Sequence, residues 1–144
     1  MAKVRPYSST DREAVIRLWR ECSLVRSPND PGNDIDGKWT HDPGLFVAVE
    51  ANHPVGSVMA GFDGHRGWIN YLAVSPARQR RGVGTLLLQR AEEYLAGLGC
   101  EKINLQVRTN NLDVISFYER AGYLNDAVVS LGKRLVLRES ANPT

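Results

Sequence analysis

Arg78, Arg80 and Arg81 crowd a turn that closes on Gly82-Val83-Gly84, directly after the apolar run Tyr71 to Val74 and before Leu86-Leu87-Leu88. Residues of these types at the junction of a strand and a helix make an anion site. The first N–H groups of a helix have no partner inside it, and the helix dipole adds roughly half a positive charge at that end. Gly82 and Gly84 carry no Cβ to hold a phosphate oxygen away, and the arginines supply charge around the same turn. A diphosphate is the natural ligand. The spacing matches neither GxxxxGK[ST] nor GxGxxG, so a mononucleotide P-loop and a dinucleotide fingerprint are both disfavoured.

A second group with chemical potential lies in Asn111 to Tyr123. Asn111, Val114, Ile115 and Tyr118 recur at helical spacing, Asn110 or Asn111 can cap the start, and Gly122 can take the left-handed position at the end, which predicts a helix of about eleven residues. Its tyrosine either packs by its ring or offers a phenol with a pKa near 10 as a proton donor.

The six residues Gln79-Arg80-Arg81-Gly82-Val83-Gly84 resemble the acetyl-CoA pyrophosphate loop of the GNAT superfamily of N-acetyltransferases. The segment Asn111-Leu112-Asp113-Val114-Ile115-Ser116-Phe117-Tyr118-Glu119-Arg120-Ala121-Gly122-Tyr123 resembles the second motif of that family, in the same order along the chain. The likeness covers well over half the chain in organisation and implies an α/β fold, a central twisted mixed sheet flanked by helices. It further implies that backbone from Gln79 through Arg80, Arg81, Gly82, Val83 and Gly84 to Thr85 holds the diphosphate of acetyl-CoA. In the same way Asn111 would contact the pantetheine arm, Leu72, Ala73 and Val74 would polarise the thioester carbonyl through their N–H groups, and Tyr118 would sit beside the sulfur. The function so implied is transfer of an acetyl group from acetyl-CoA to a primary amine, of a small cationic metabolite or a protein, with Tyr118 as general acid.

The base has no such candidate. Gln106, in Asn104-Leu105-Gln106-Val107-Arg108, stands where some relatives carry a glutamate, and an amide takes no proton but can orient a water. Glu119 points about 100° away from Tyr118 around the helix, and His65 lies in the turn Asp63-Gly64-His65-Arg66-Gly67. Asn70 and Tyr71 are candidates for the acceptor pocket, of which strand alternation lets only one face the cofactor side. Gln106 keeps open an alternative of another class, a non-catalytic module that binds or senses acyl-CoA; Tyr118 argues against it.

The 144 residues, 42% hydrophobic and 24% charged, suit one domain over residues 1–138 with a frayed tail over 139–144. A net charge of +2 gives no argument for a nucleic-acid partner. Asp30, Asp34, Asp36 and Asp42 face Lys38 alone in an acidic stretch that either draws a cationic acceptor or is a solvated loop. No apolar run nears the roughly 18 residues of a membrane span and the N-terminus has no secretory pattern, so no membrane partner and a cytoplasmic location are expected. Cys22 and Cys100 match no metal spacing and are expected to be buried, reduced thiols, with no metal site.

The elements that must position these residues alternate. Val4 to Tyr7 is a strand; Thr10 and Glu13 form a capping box opening a helix through Val15, Leu18, Trp19 and Cys22; a turn-rich stretch over 27–44 holds a short helix near Ile35 to Thr40. Leu45 to Glu50 and Val55 to Phe62 form a hairpin through Asn52-His53-Pro54, Trp68 to Val74 is the next strand, and a helix runs from Gly82 to Leu98 with Val83, Leu87, Ala91, Tyr94, Leu95 and Leu98 on one face. Lys102 to Arg108 and Ala127 to Leu137 read as strands, the latter a possible edge for a homodimer.

Overall fold

In the computed structural model, which describes residues 1–25, 30–41 and 43–136, five strands lie in the order of the chain. They are β1 (Lys3–Pro6), β2 (Leu45–Glu50), β3 (His53–Phe62), β4 (Gly67–Val74) and β5 (Ile103–Leu105), antiparallel throughout except for the parallel pair β4–β5. Alternation along β2 splits the core. Phe46 and Ala48 point to one face, Leu45 and Val47 to the other, and all four are buried. The first face is covered by helix α3 (Val83–Gly97), through Val83, Leu87, Leu88, Ala91 and Leu95, and by Tyr118 of α4 (Leu112–Arg120). The second is covered by α1 (Arg12–Glu21), through Val15, Leu18 and Trp19, and by Ile35 of α2 (Pro31–His41). This is the mixed α/β sheet that the residues imply. Leu98, expected on the buried face of α3, is its C-cap and half exposed.

Several boundaries differ from the periodic reading. The chain enters α1 through a 3-10 turn, Ser9–Asp11, and the cap is built on Asp11 instead of Thr10 and Glu13. Asp11 accepts from the Ser8 N–H at 2.9 Å and from both arms of Arg5 at 2.7 and 2.9 Å, so a guanidinium on β1 selects which carboxylate caps the helix. That bond, above all, holds the Asp11 carboxyl below its ordinary value. Helix α2 runs well beyond the expected short turn, because Asp30 Oδ1 accepts from Gly32 and Asn33 and Pro31 opens the helix. The β2–β3 hairpin turns on Ala51-Asn52, both at positive φ, and His53 already pairs with Glu50.

The C-terminal expectation is overturned. Residues 127–136 form no strand and their side chains are exposed, as are Leu131 and Leu135 at about nine-tenths. Among the described residues, side chains tie this stretch and the preceding Asp126 to β5 and its flanks: Asp126 to Lys102 and Asn104, and Ser130 to Gln106. Local β propensity without a backbone ladder does not make a strand. Leu137 and the tail over 139–144 lie outside the described residues.

Candidate functional site

Strand β4 is where the site begins. Ser57 pairs with Ala73 and Met59 with Asn70, so Tyr71 and Leu72 stand opposite Val58 alone, a β-bulge. Tyr71 carries it at φ +51, a left-handed conformation in a bulky residue. The bulge breaks the alternation expected of Asn70 and Tyr71: Tyr71 packs with Trp19 and Ile35 on the α1–α2 face, and Asn70 lines a cavity on that face with Met59 and Lys38. Leu72 and Val74 turn to the other face, beside α3. Beyond the pair Ile69–Leu105, β5 leaves β4, and the outer edge of β4 from Asn70 to Val74 has no strand beside it among the described residues. Its N–H groups are the donors an oxyanion needs.

The basic turn follows at once. Gln79 Nε2 donates to the Val74 carbonyl at 3.0 Å, tying the loop to the end of β4. Gly82 is the N-cap of α3 at φ +82, and the first helical bond is Leu86 N–H to the Gly82 carbonyl at 3.1 Å. The amides of Val83, Gly84 and Thr85 therefore precede the first intrahelical bond, the arrangement that takes an anion. The arginines divide their work. Arg78 is half-buried beside Glu50, its Nε 3.6 Å from the carboxylate, whereas Arg80 and Arg81 are exposed.

Helix α4 closes the group. A Cβ on Gly84 would meet Phe117 at 3.4 Å and Val74 at 3.7 Å, which places α4 against both the start of α3 and the end of β4. Tyr118 is 8% exposed, edge-on to Phe117 and Tyr123, and its hydroxyl has no hydrogen-bond partner among the described residues. Burial pushes its pKa up to about 12. Tyr123 donates to Glu92 at 2.7 Å and so pins the end of α4 to α3, and Gly122 takes the expected left-handed position at φ +98. Asn111 occupies the N-cap of α4 with its side chain exposed and making no cap bond.

The structure thus brings Leu72 to Val74, Gln79 to Thr85, and Tyr118 to one end of the sheet. It leaves others outside. His65 lies at the opposite end of β4, in a turn where Asp63 accepts from the His65 and Arg66 N–H groups and from Trp68 Nε1, bonds that lower the Asp63 pKa to about 2. Glu119 is exposed, and Gln106 donates to Ser130 at 2.6 Å. Both cysteines are free and half-buried; the thiol of Cys22 donates to the Val74 carbonyl, and burial raises its pKa. No group of three metal-ligating side chains gathers among the described residues, and no described helix is long and apolar enough to cross a membrane.

The contacts that periodicity missed, and the part of Ser57 in them, are on the other face of the bulge. Trp19 stacks on Tyr71 at 3.7 Å and 8°, its Nε1 donates to buried Ser57 at 2.8 Å, and Ser57 Oγ donates to the Tyr71 carbonyl at 2.8 Å. The Tyr71 hydroxyl donates to Asp34 at 2.5 Å. No local pattern signals these contacts.

Comparison with known proteins supplies the family. The model of the "Acetyltransferase (GNAT) family" matches residues 12–123. An acetyltransferase of Sodalis glossinidius is 48% identical over 136 residues, covering 93% of this chain and 96% of that protein. The crystal structure of Ard1 from Thermoplasma volcanium matches 88% of this chain and 84% of its own at a TM-score of 0.76 and 25% identity. AAC(6')-Iy, solved with the bisubstrate analogue CoA-S-monomethyl-acetylneamine, matches 93% of this chain and 99% of its own at a TM-score of 0.77 and 17% identity, a likeness of fold.

Proposed function

The chain belongs to the GNAT family of acetyltransferases and is an acyltransferase; on that premise we propose that it moves the acetyl group of acetyl-CoA to a primary amine with Tyr118 as general acid. One observation carries the reading. The open first-turn amides of α3, the edge of β4 that has no strand beside it among the described residues, and Tyr118, whose hydroxyl has no partner among them, lie toward one end of the sheet. The amides of Val83, Gly84 and Thr85, with the backbone from Gln79, Arg80, Arg81 and Gly82, take the diphosphate. The exposed Asn111 amide, free of a capping role, meets the pantetheine arm. Of the stretch Leu72, Ala73 and Val74, the N–H groups that alternation turns to the open edge of β4 face the thioester oxygen.

The neutral amine attacks the acetyl carbon, the β4 edge holds the tetrahedral oxyanion, and the C–S bond breaks as Tyr118 gives the sulfur a hydrogen bond. The nitrogen of the intermediate sheds its extra proton to solvent, the thiolate takes a proton through Tyr118, and the phenol is reprotonated from solvent. A phenol at about 12 stays protonated at any working pH. Full proton transfer to a thiolate of pKa about 8.5 is uphill, so the hydrogen bond to the departing sulfur carries most of the catalysis. Acetyl-CoA and an amine are the partners, in a cytoplasmic domain spanning residues 1–138. A homodimer, if formed, would bury the exposed Val128, Leu131 and Leu135 and would show in sedimentation. Thiol release from acetyl-CoA by the purified protein across amines, amino acids and peptides tests the reading; saturable acetyl-CoA binding with no release from any acceptor would replace it with the binding module.

A further inference from the structure

We propose that Ser57 and Trp19 are positioning residues for acetyl transfer: together they set the plane of the peptide joining Tyr71 to Leu72 and so aim the Leu72 N–H at the thioester oxygen. This rests on the acetyl-transfer reading and adds to it the side chains that hold an oxyanion donor in place.

Among the described residues the buried polar or charged side chains are Asp11 and Ser57, and Asp11 is accounted for by Arg5 and Ser8. Ser57 has no exposed surface and stands on β3 in the apolar run from Val55 to Ala60, where alanine would bury no polar atom. Its Oγ is engaged on both sides. Trp19 Nε1 donates to it at 2.8 Å, and it donates to the Tyr71 carbonyl at 2.8 Å. An indole N–H can only donate, so the Ser57 oxygen accepts from Trp19 and its single proton is committed to Tyr71. The Trp19 ring, itself fully buried and stacked on Tyr71 at 3.7 Å, completes the unit.

What this relay holds is a peptide that the sheet ladder does not. Ser57 pairs with Ala73 and Met59 with Asn70, so the peptide joining Tyr71 to Leu72 lies inside the bulge, opposite Val58 alone. In a regular antiparallel pair the neighbouring backbone fixes each peptide; here a side chain of β3 takes that place. A trans peptide is planar, and its C=O and N–H point in opposite directions. Fixing the Tyr71 carbonyl on Ser57 therefore turns the Leu72 N–H away from Ser57 and Trp19. Alternation gives the same sense from the far end of the strand. Ser75 N–H donates to the Val55 carbonyl, toward β3, which turns the N–H of Val74 outward, that of Ala73 inward and that of Leu72 outward. The Leu72 N–H thus lies on the edge of β4 that β5 has left after Leu105. An oxyanion donor works by being held in place before charge develops, and the Ser57 hydroxyl supplies that hold through the peptide plane.

The test reads the bound thioester and needs no acceptor. Acetyl-CoA labelled at the acetyl carbonyl is bound to the protein, and isotope-edited infrared difference spectra give the carbonyl stretch, which falls as hydrogen bonding to the oxygen strengthens. Ser57→Ala, folded by circular dichroism, releases the Tyr71 carbonyl, so the band moves to higher frequency than in wild type, while acetyl-CoA affinity by calorimetry stays within about twofold because the proposed diphosphate contacts lie at the start of α3. Asp11→Asn, a destabilising change remote from this relay, leaves the band in place, which separates aim from a general loosening of the fold. Where Ser57→Ala does not fold, Trp19→Phe carries the test: it keeps a stacking ring and removes the donor, the Ser57 proton is no longer committed, and the band shifts upward by less. A wild-type band in folded Ser57→Ala, or in Trp19→Phe where that variant must serve, overturns the assignment and leaves the acetyl-transfer reading standing. Wild-type protein that binds no acetyl-CoA removes that reading and the assignment with it.

Discussion

Replacing Tyr118 by Phe deletes one oxygen and keeps the ring against Phe117 and Tyr123. Because the hydroxyl has no hydrogen-bond partner among the described residues, its removal orphans no donor or acceptor there, and stability should change by no more than about 0.5 kcal/mol. The catalytic effect is of another size. A donor aimed at developing charge in a dry site is worth about 10²- to 10³-fold, or roughly 2.7–4.1 kcal/mol of barrier. Turnover should fall by that factor while acetyl-CoA affinity, read by calorimetry, stays within about twofold, since the proposed diphosphate contacts come from the start of α3. The alkaline behaviour adds a check. Tyr118 titrates at about 12 in the folded chain against 10.0 for a free tyrosine, so its contribution to stability is whole below pH 10 and is lost as pH rises through 12; the variant lacks this loss. Wild-type turnover in a normally folded variant would make Tyr118 a packing ring and end its role as acid.

Gly82 separates strain from occlusion. A Cβ there meets nothing within 4 Å, so Gly82→Ala bears only the cost of φ +82, about 1–2 kcal/mol, whereas Gly82→Glu should add at least a tenfold loss of acetyl-CoA affinity by titration; equal affinities would remove the loop from the site. Ser57→Ala strands the Trp19 N–H and the Tyr71 carbonyl in the core, and urea unfolding should show a loss of about 2 kcal/mol. Asp11→Asn weakens the Arg5 pair and the Ser8–Asp11 box that opens the turn into α1 by about 1–2 kcal/mol at neutral pH. Since the Asp11 pKa is lowered on folding, its contribution is present above the carboxylate's ordinary 3.8 and fades as pH falls below it, so wild type and variant should converge in acid; a constant gap would refute the ion pair.

Much of the end of the sheet proposed for the cofactor was legible because its signals are local. An apolar run, a basic turn with glycines and a helical period occupy neighbouring residues, and the backbone at a helix start binds anions whatever the distant fold does. The same locality explains the failures. Ala127 to Leu137 has the composition of a strand, but a strand exists only beside a partner, and among the described residues side chains alone, of Asp126 and Ser130, reach β5 and its flank. Thr10 and Glu13 have the spacing of a capping box, yet Arg5 arrives from β1 and settles the cap on Asp11.

By itself, then, the sequence determined most strand and helix periods, the basic, glycine-bearing turn from Gln79 to Thr85 at the start of a helix, and the placing of Tyr118 on a short helix that Gly122 ends. Tertiary structure alone decided that β5 parts from β4 after Leu105, that a bulge turns Tyr71 onto the α1–α2 face, and that Asp34 and Trp19 meet it there. Those contacts join Tyr71 to Asp34 across 37 positions and Trp19 to Ser57 across 38. Alternation and helical period describe neighbours along the chain, whereas these pairs depend on which strands and helices pack together.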